Sequence, residues 1–133
     1  MLDRDPSAPP QGRILVADDE PHIRRILTTF LEASGFSVDE AYDGAHALAF
    51  LEGPTRYDMA LLDIMMPEHS GLEVLASTRR MPHREGLAIV ILTAKGQDAD
   101  REAAFRLGAD DFLTKPFSPK KLLARIHELL DFS

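Results

Sequence analysis

The chain predicts a doubly wound α/β fold, a parallel five-stranded sheet covered by helices on both faces. Three observations carry this. Short apolar runs and amphipathic helical stripes alternate five times. The apolar run at 59–62 lacks the period-two alternation of a half-solvated strand, so it reads as a central strand covered on both sides. Gly, Pro and Ser stand at the junctions between these segments.

Ile14–Asp18 is a short apolar run ending in acids, expected as a buried strand. Pro21 suits the first turn of the next helix, because its missing N–H is not needed there. Ile23, Ile26, Leu27, Phe30 and Leu31 then form one apolar stripe, and Gly35 supplies the stop. Phe36–Ala41 carries polar residues and is expected at a sheet edge. A short alanine-rich helix follows over Gly44–Leu51. Met59–Leu62, followed by Asp63, is expected as a central strand. Pro67, Ser70 and Gly71 mark a loop, Leu72–Arg80 a third helix, and Met81–Gly86 another loop. Ala88–Leu92 is the most strand-like stretch and ends at Thr93. A polar helix over Asp98–Leu107 stops at Gly108. Phe112–Thr114 is a last short strand before Lys115-Pro116. Ser118 caps, and Pro119 opens, a final helix striped by Leu122, Leu123, Ile126, Leu129 and Leu130.

A length of 133 residues favours one domain, expected over 13–133 behind a disordered tail at 1–12 that is rich in proline and polar residues. There is no cysteine, so disulfides, thiolate chemistry and thiolate zinc sites are excluded. The net charge of −7 argues against nucleic-acid binding by this domain, which would need a basic face. No apolar run approaches the ~20 residues needed to span a bilayer, and the first residues lack the apolar core of a secretory signal. A cytoplasmic location is the default expectation.

Sheets of this kind place ligands at the carboxyl ends of their strands, beside the point where strand order reverses. Those ends carry Asp18 and Asp19 after the first strand, Asp63 after the third, Thr93 after the fourth and Lys115 after the fifth. In the order 2-1-3-4-5 the first and third strands are neighbours, so three carboxylates crowd together. Like charges a few ångströms apart repel unless something compensates them. Oxygen ligands without nitrogen point to a hard cation, and Mg²⁺ binds one or two carboxylates, keeps waters and accepts a phosphate oxygen. Lys115 adds a compact positive charge and Thr93 a hydroxyl donor. Aspartate is a phosphoryl-accepting nucleophile, and phosphoryl transfer depends mainly on positioning and electrostatics.

In ILVADDEP (14–21), LLDIMMPEHSGLEVL (61–75), IVILTA (89–94) and GADDFLTKPF (108–117), the chain resembles the receiver domain of bacterial response regulators, the CheY-like modules of two-component signalling. The likeness covers about residues 13–131. It implies a flavodoxin-like (βα)5 three-layer sandwich with strand order 2-1-3-4-5. It implies Asp63 as the phosphorylated aspartate, and Asp18, Asp19, Asp63 and the backbone carbonyl of Met65 as the Mg²⁺ ligands. Thr93 becomes the switch hydroxyl that turns toward the phosphoryl group, and Lys115 the lysine that contacts it. Phe112 takes the aromatic switch position, moving inward when Thr93 turns. Tyrosine is frequent there, so phenylalanine keeps the packing and removes a hydrogen bond. A cis Lys115–Pro116 peptide is implied as well.

The phosphodonor would be a phosphohistidine on a sensor histidine kinase or phosphotransfer protein, docking at His22, Ile23, Arg25 and Phe117-Ser118. Met65 and Lys95, two residues after Asp63 and Thr93, would flank the attacking water and set the lifetime of the phosphorylated state. More narrowly, the chain is similar to receivers of the OmpR/PhoB type, which dimerise through the fourth helix, fifth strand and fifth helix. Asp100, Asp110, Asp111 and Arg125 fit the charged positions of that face, whereas Lys121 stands where glutamate is usual. The likeness leaves open whether the receiver stands alone or is part of a longer regulator.

Two other functions compete. An aspartyl-phosphate phosphatase or phosphotransferase of the haloacid-dehalogenase type places its nucleophile motif after the first strand, where this chain has Asp18-Asp19-Glu20-Pro21. A degenerate receiver acting only as an interaction module would be expected to lack one of the five key residues, and all five are present. No GxxxxGK(S/T) loop exists for a nucleotide. Met65 and Met66 read as packing or loop cover, the five scattered histidines as non-ligands, His127 as a surface or helix-packing residue rather than a phosphoacceptor, and Asp110 and Asp111 as acids that solvate a loop or bridge a partner.

Overall fold

A computed structural model describes residues 12–94, 99–115 and 118–130. Strands β1 (Arg13–Ala17), β2 (Ser37–Ala41), β3 (Met59–Asp63), β4 (Ala88–Thr93) and β5 (Asp111–Thr114) alternate with helices α1 (Pro21–Ala33), α2 (Gly44–Glu52), α3 (Gly71–Arg79), α4 (Ala99–Arg106) and α5 (Pro119–Leu130). The sheet order is β2-β1-β3-β4-β5, with every pairing parallel. This is the flavodoxin-like sandwich expected.

The burial of each strand explains its sequence. Every residue of β3 and β4 is buried, which is why neither alternates. β2 lies at the sheet edge, and only Ala41 of its residues is buried. The helices follow local signals. Pro21 opens α1 in its first turn, and Gly35 leaves it at φ 100°, a left-handed conformation that favours glycine. Ser70 and Glu73 form a reciprocal capping box on α3. The Ser118 hydroxyl accepts from Lys120 N–H at 3.2 Å at the start of α5. One expectation changes: the segment 81–86 is no plain loop, because Pro82–Arg84 form a 3₁₀ turn.

Period-two alternation sends side chains to two cores. Ile14 and Val16 of β1, Met59 and Leu61 of β3, and Val90 and Leu92 of β4 pack with Leu27 and Leu31 of α1 and with Leu122 and Ile126 of α5. Leu15, Ala60, Leu62, Ile89 and Ile91 pack on the other face with α2, α3 and Ala104 of α4. Among the described residues, no helix is long and apolar enough to cross a membrane. The tail at 1–11, Lys95, Asp98, Pro116 with its expected cis peptide, and Phe117 lie outside the described residues.

Candidate functional site at the carboxyl edge of the sheet

The register builds the site. Ala17 of β1 pairs with Leu62 of β3, so the next rung sets Asp18 against Asp63. Asp18 continues the Ile14–Val16 face and Asp63 the Met59–Leu61 face, so both carboxylates project on the side of α1 and α5. Lys115 follows β5 by one residue, and its N–H donates to Thr93 O at 2.7 Å. Its Nζ reaches both acids, at 2.9 Å from Asp18 Oδ2 and 3.3 Å from Asp63 Oδ2. The remaining oxygens meet backbone: Glu20 N–H donates to Asp18 Oδ1 at 2.9 Å, and Met65 N–H to Asp63 Oδ1 at 3.3 Å. Asp19 is exposed, yet it offers a carboxylate oxygen that lies with those of Asp18 and Asp63 inside a mutual separation of 4.8 Å.

Three negative groups and one ammonium do not balance. Burial first, and then the Asp18 charge, push the Asp63 carboxyl up to about 6, against the pull of Lys115 and the Met65 N–H. Burial lowers the Lys115 ammonium, but the hydrogen bond to Asp18 and the charges of both acids outweigh it and raise the group above its ordinary range. The site therefore suits a hard cation. It offers a compact set of carboxylate oxygens, one of them exposed, with charge left to neutralise.

The other expected residues divide by face. Thr93 ends β4 on the Ile89–Ile91 side and is fully buried, with its hydroxyl donating to Ala94 O at 3.4 Å. Phe112 is buried on the same side, beside Ala104 of α4, and the Arg101 guanidinium lies 5.9 Å from its ring centroid. Asp18, Asp63 and Lys115 thus meet directly on one face, while Thr93 and Phe112 share the other. Met65 leaves the site and is 61% exposed, whereas Met66 packs on the core.

Three features escaped the sequence reading. Gly71 is more than loop punctuation: a Cβ there would stand 2.4 Å from Asp63 O, so α3 can begin this close to β3 only with glycine. Asp110 and Asp111 are internal anchors rather than plain loop acids. Asp110 accepts from Arg79 and from Ile89 N–H, and Asp111 from Arg125. Arg24 of α1 donates through Nη1 to the carbonyl of Asp18 at 2.6 Å. An arginine beside a helical stripe carries no sequence signal for such a contact. His127 does pack, edge-on to Phe36 at 6.1 Å between ring centroids.

The family described as the response regulator receiver domain matches residues 14–127. The transcriptional regulatory protein ResD of Bacillus subtilis is 44% identical over 121 residues, covering 90% of this chain and 48% of ResD. The receiver domain of a Francisella response regulator superposes with a TM-score of 0.81 at 33% identity, covering 91% of this chain and 98% of that one. The receiver domain of a sensor histidine kinase from Pseudomonas aeruginosa, solved with a magnesium ion coordinated in its active-site cleft, gives 0.83 at 28% identity, covering 90% and 98%. The chain spans about half the length of the curated relatives it matches. A site of this form at the switch point of a 2-1-3-4-5 sheet, with a match running through nearly the whole fold, places the chain in the response regulator receiver domain family, the signalling switches of two-component systems.

Proposed function

We propose that Asp63 accepts a phosphoryl group from a phosphohistidine of a histidine kinase or phosphotransfer protein. The observation that carries this is the Lys115 ammonium set between Asp18 Oδ2 and Asp63 Oδ2, inside a cluster of three carboxylates. An Asp63 carboxylate oxygen attacks phosphorus, the P–N bond breaks, and its electron pair stays on the imidazole, which takes up a proton. Lys115 meets a phosphoryl oxygen after leaving Asp63, and the Thr93 hydroxyl turns to meet another. Asp18, Asp19, Asp63 and the backbone carbonyl of Met65 would hold Mg²⁺. When bound, the ion supplies charge neutralisation between the acids and the incoming phosphoryl oxygens.

Hydrolysis of the acyl phosphate resets the switch, with no separate substrate turned over. Met65, exposed beside Asp63, and Lys95 set the rate of that hydrolysis. Burial of Phe112 behind Thr93 supports its role as the residue that transmits the change. A groove along α1, lined by His22, Arg25, Ile26, Phe30 and Pro119, supports docking of the phosphodonor there. Dimerisation would use the α4-β5-α5 face, where Arg125 already pairs with Asp111. The protein would act in the cytoplasm, where such donors reside.

Incubation with acetyl phosphate and Mg²⁺ tests the proposal. Wild type should gain about 80 Da, one HPO₃ unit, and Asp63→Asn should not. No adduct on wild type, or an equal adduct on the variant, would reject Asp63 as the acceptor.

A further inference from the structure

We infer that Arg24 is a positioning residue for the metal-binding acids: it holds the Asp18 peptide in place, and Glu40 both holds Arg24 and offsets its charge. The inference rests on the Mg²⁺ site proposed above and extends it to a residue pair outside the acid cluster.

Asp18 stands one residue beyond β1, where the strand ladder stops orienting the chain. Its N–H is still held, donating to Ala41 O at 3.1 Å at the end of β2. Arg24 holds the other side of the residue. From the first turns of α1, Nη1 donates to Asp18 O at 2.6 Å and Nε donates to Glu40 Oε1 at 3.0 Å. The Arg24 side chain is only 16% exposed, so both bonds are shielded from water, and charged donors make strong hydrogen bonds in such settings. Glu40 immediately precedes Ala41, so one end of β2 grips Asp18 twice, directly and through Arg24. The Asp18 main chain is thereby fixed at both its N–H and its carbonyl. Its carboxylate then has a fixed origin from which to meet an ion.

Charge gives the pair a second consequence. An unpaired guanidinium beside this cluster would oppose an incoming divalent cation. Glu40 offsets that opposition, though its Oε2 is also met by Arg25 at 3.3 Å from the exposed side. Lysine cannot copy the arrangement, because one ammonium lacks the planar fork that serves a carbonyl and a carboxylate together.

Mg²⁺ affinity measured by isothermal titration calorimetry, with circular dichroism and a thermal midpoint on each protein, tests this. Arg24→Ala and Arg24→Gln should bind Mg²⁺ about tenfold more weakly or worse, the scale for loss of a group that orients a metal ligand. Arg24→Lys should recover part of the loss. Glu40→Gln should lose a few-fold, and Arg24→Gln/Glu40→Gln should be no worse than Arg24→Gln, because both act through one peptide. A residue that only props the fold would lower the thermal midpoint and leave the affinity of the folded protein unchanged. Wild-type affinity in folded Arg24→Gln overturns the inference, and fully additive losses in the double variant overturn the linkage to Glu40. Should the alanine and glutamine variants fail to fold, Arg24→Lys and Glu40→Gln decide, and wild-type affinity in both overturns it. Absence of Mg²⁺ binding by wild type, or unchanged binding in Asp19→Ala, sinks the metal site itself and the inference with it.

Discussion

At the amino ends of β3 and β4, Arg84 is 5% exposed and donates to Leu51 O at 2.8 Å, Phe50 O at 3.2 Å and Gly53 O at 3.0 Å. At the carboxyl ends of the same sheet, Asp63 is 6% exposed and shares one ammonium with Asp18. Both ends bury charge, but only at the carboxyl end do like charges crowd. Arg84 meets carbonyls at the end of α2, where the helix dipole also favours a cation. Its guanidinium lies 5.2 Å from the Tyr57 ring centroid, and Tyr57 donates in turn to Asp39 at 2.6 Å. Burial, reinforced by that bond to Asp39, raises the Tyr57 hydroxyl well above its usual range, so it keeps the proton it donates at neutral pH. The amino end is complete as it stands. The carboxyl end retains an excess of negative charge that a divalent cation would offset. Structure and function thus occupy opposite edges of one sheet.

The sharpest way to break this contrast is to remove Arg84. Arg84→Ala takes a charged donor from the carbonyls of Leu51, Phe50 and Gly53, leaving the first to His83 and the second to the Gly53 N–H, and opens a gap against Tyr57. Urea denaturation should show a loss of about 3 kcal/mol, while the Mg²⁺ affinity of the folded variant stays at the wild-type value. A loss below about 1 kcal/mol would mean that water replaces the guanidinium at little cost, and the amino end would no longer count as a stabilising network.

Arg84 also marks where sequence reasoning stops. β3 was legible because burial on both faces removes alternation, β4 because its apolar run is the most strand-like in the chain, and the acids because they follow apolar runs. The strand-end rule alone then placed Asp18, Asp63 and Lys115 together. An arginine after Pro82-His83 reads as a solvated loop residue, since its burial comes from α2 carbonyls more than 30 residues away in the chain. The same holds for Arg24 and for Asp110, whose partners are fixed only by tertiary packing. The division of the site between two faces was hidden for another reason. Alternation gives relative faces within one strand, and only the register relates Thr93 of β4 to Asp63 of β3.

A smaller effect of opposite sign is expected at the carboxyl end. Asp63→Asn keeps the shape of the side chain and removes one of the crowded charges, leaving Lys115 to Asp18. Without metal, the variant should be more stable than wild type at neutral pH by about 1 kcal/mol. Saturating Mg²⁺ should reverse the order, because it stabilises only the protein that binds it. A destabilised Asn variant in the absence of metal would show that Lys115 already balances the cluster.

The pH dependence of that difference is subtler and separates the two ends most cleanly. The Asp63 carboxyl is raised to about 6 in the fold from an ordinary 3.8, mainly by burial and then by Asp18. Between those values the folded protein binds more protons at this group than the unfolded chain does. Stability from Asp63 is therefore fully present below about pH 4 and is lost as pH rises through about 6. The Asn variant lacks this group, so wild type and variant should match most closely near pH 4. Their gap should widen to about pH 7 and then level off, and saturating Mg²⁺ should abolish the widening. An ordinary salt bridge between Asp63 and Lys115 would give the reverse trend, with wild type gaining on the variant as the acid ionises. Arg84→Ala, compared with wild type across the same range, should show a constant gap, since a guanidinium bound to carbonyls exchanges no proton there.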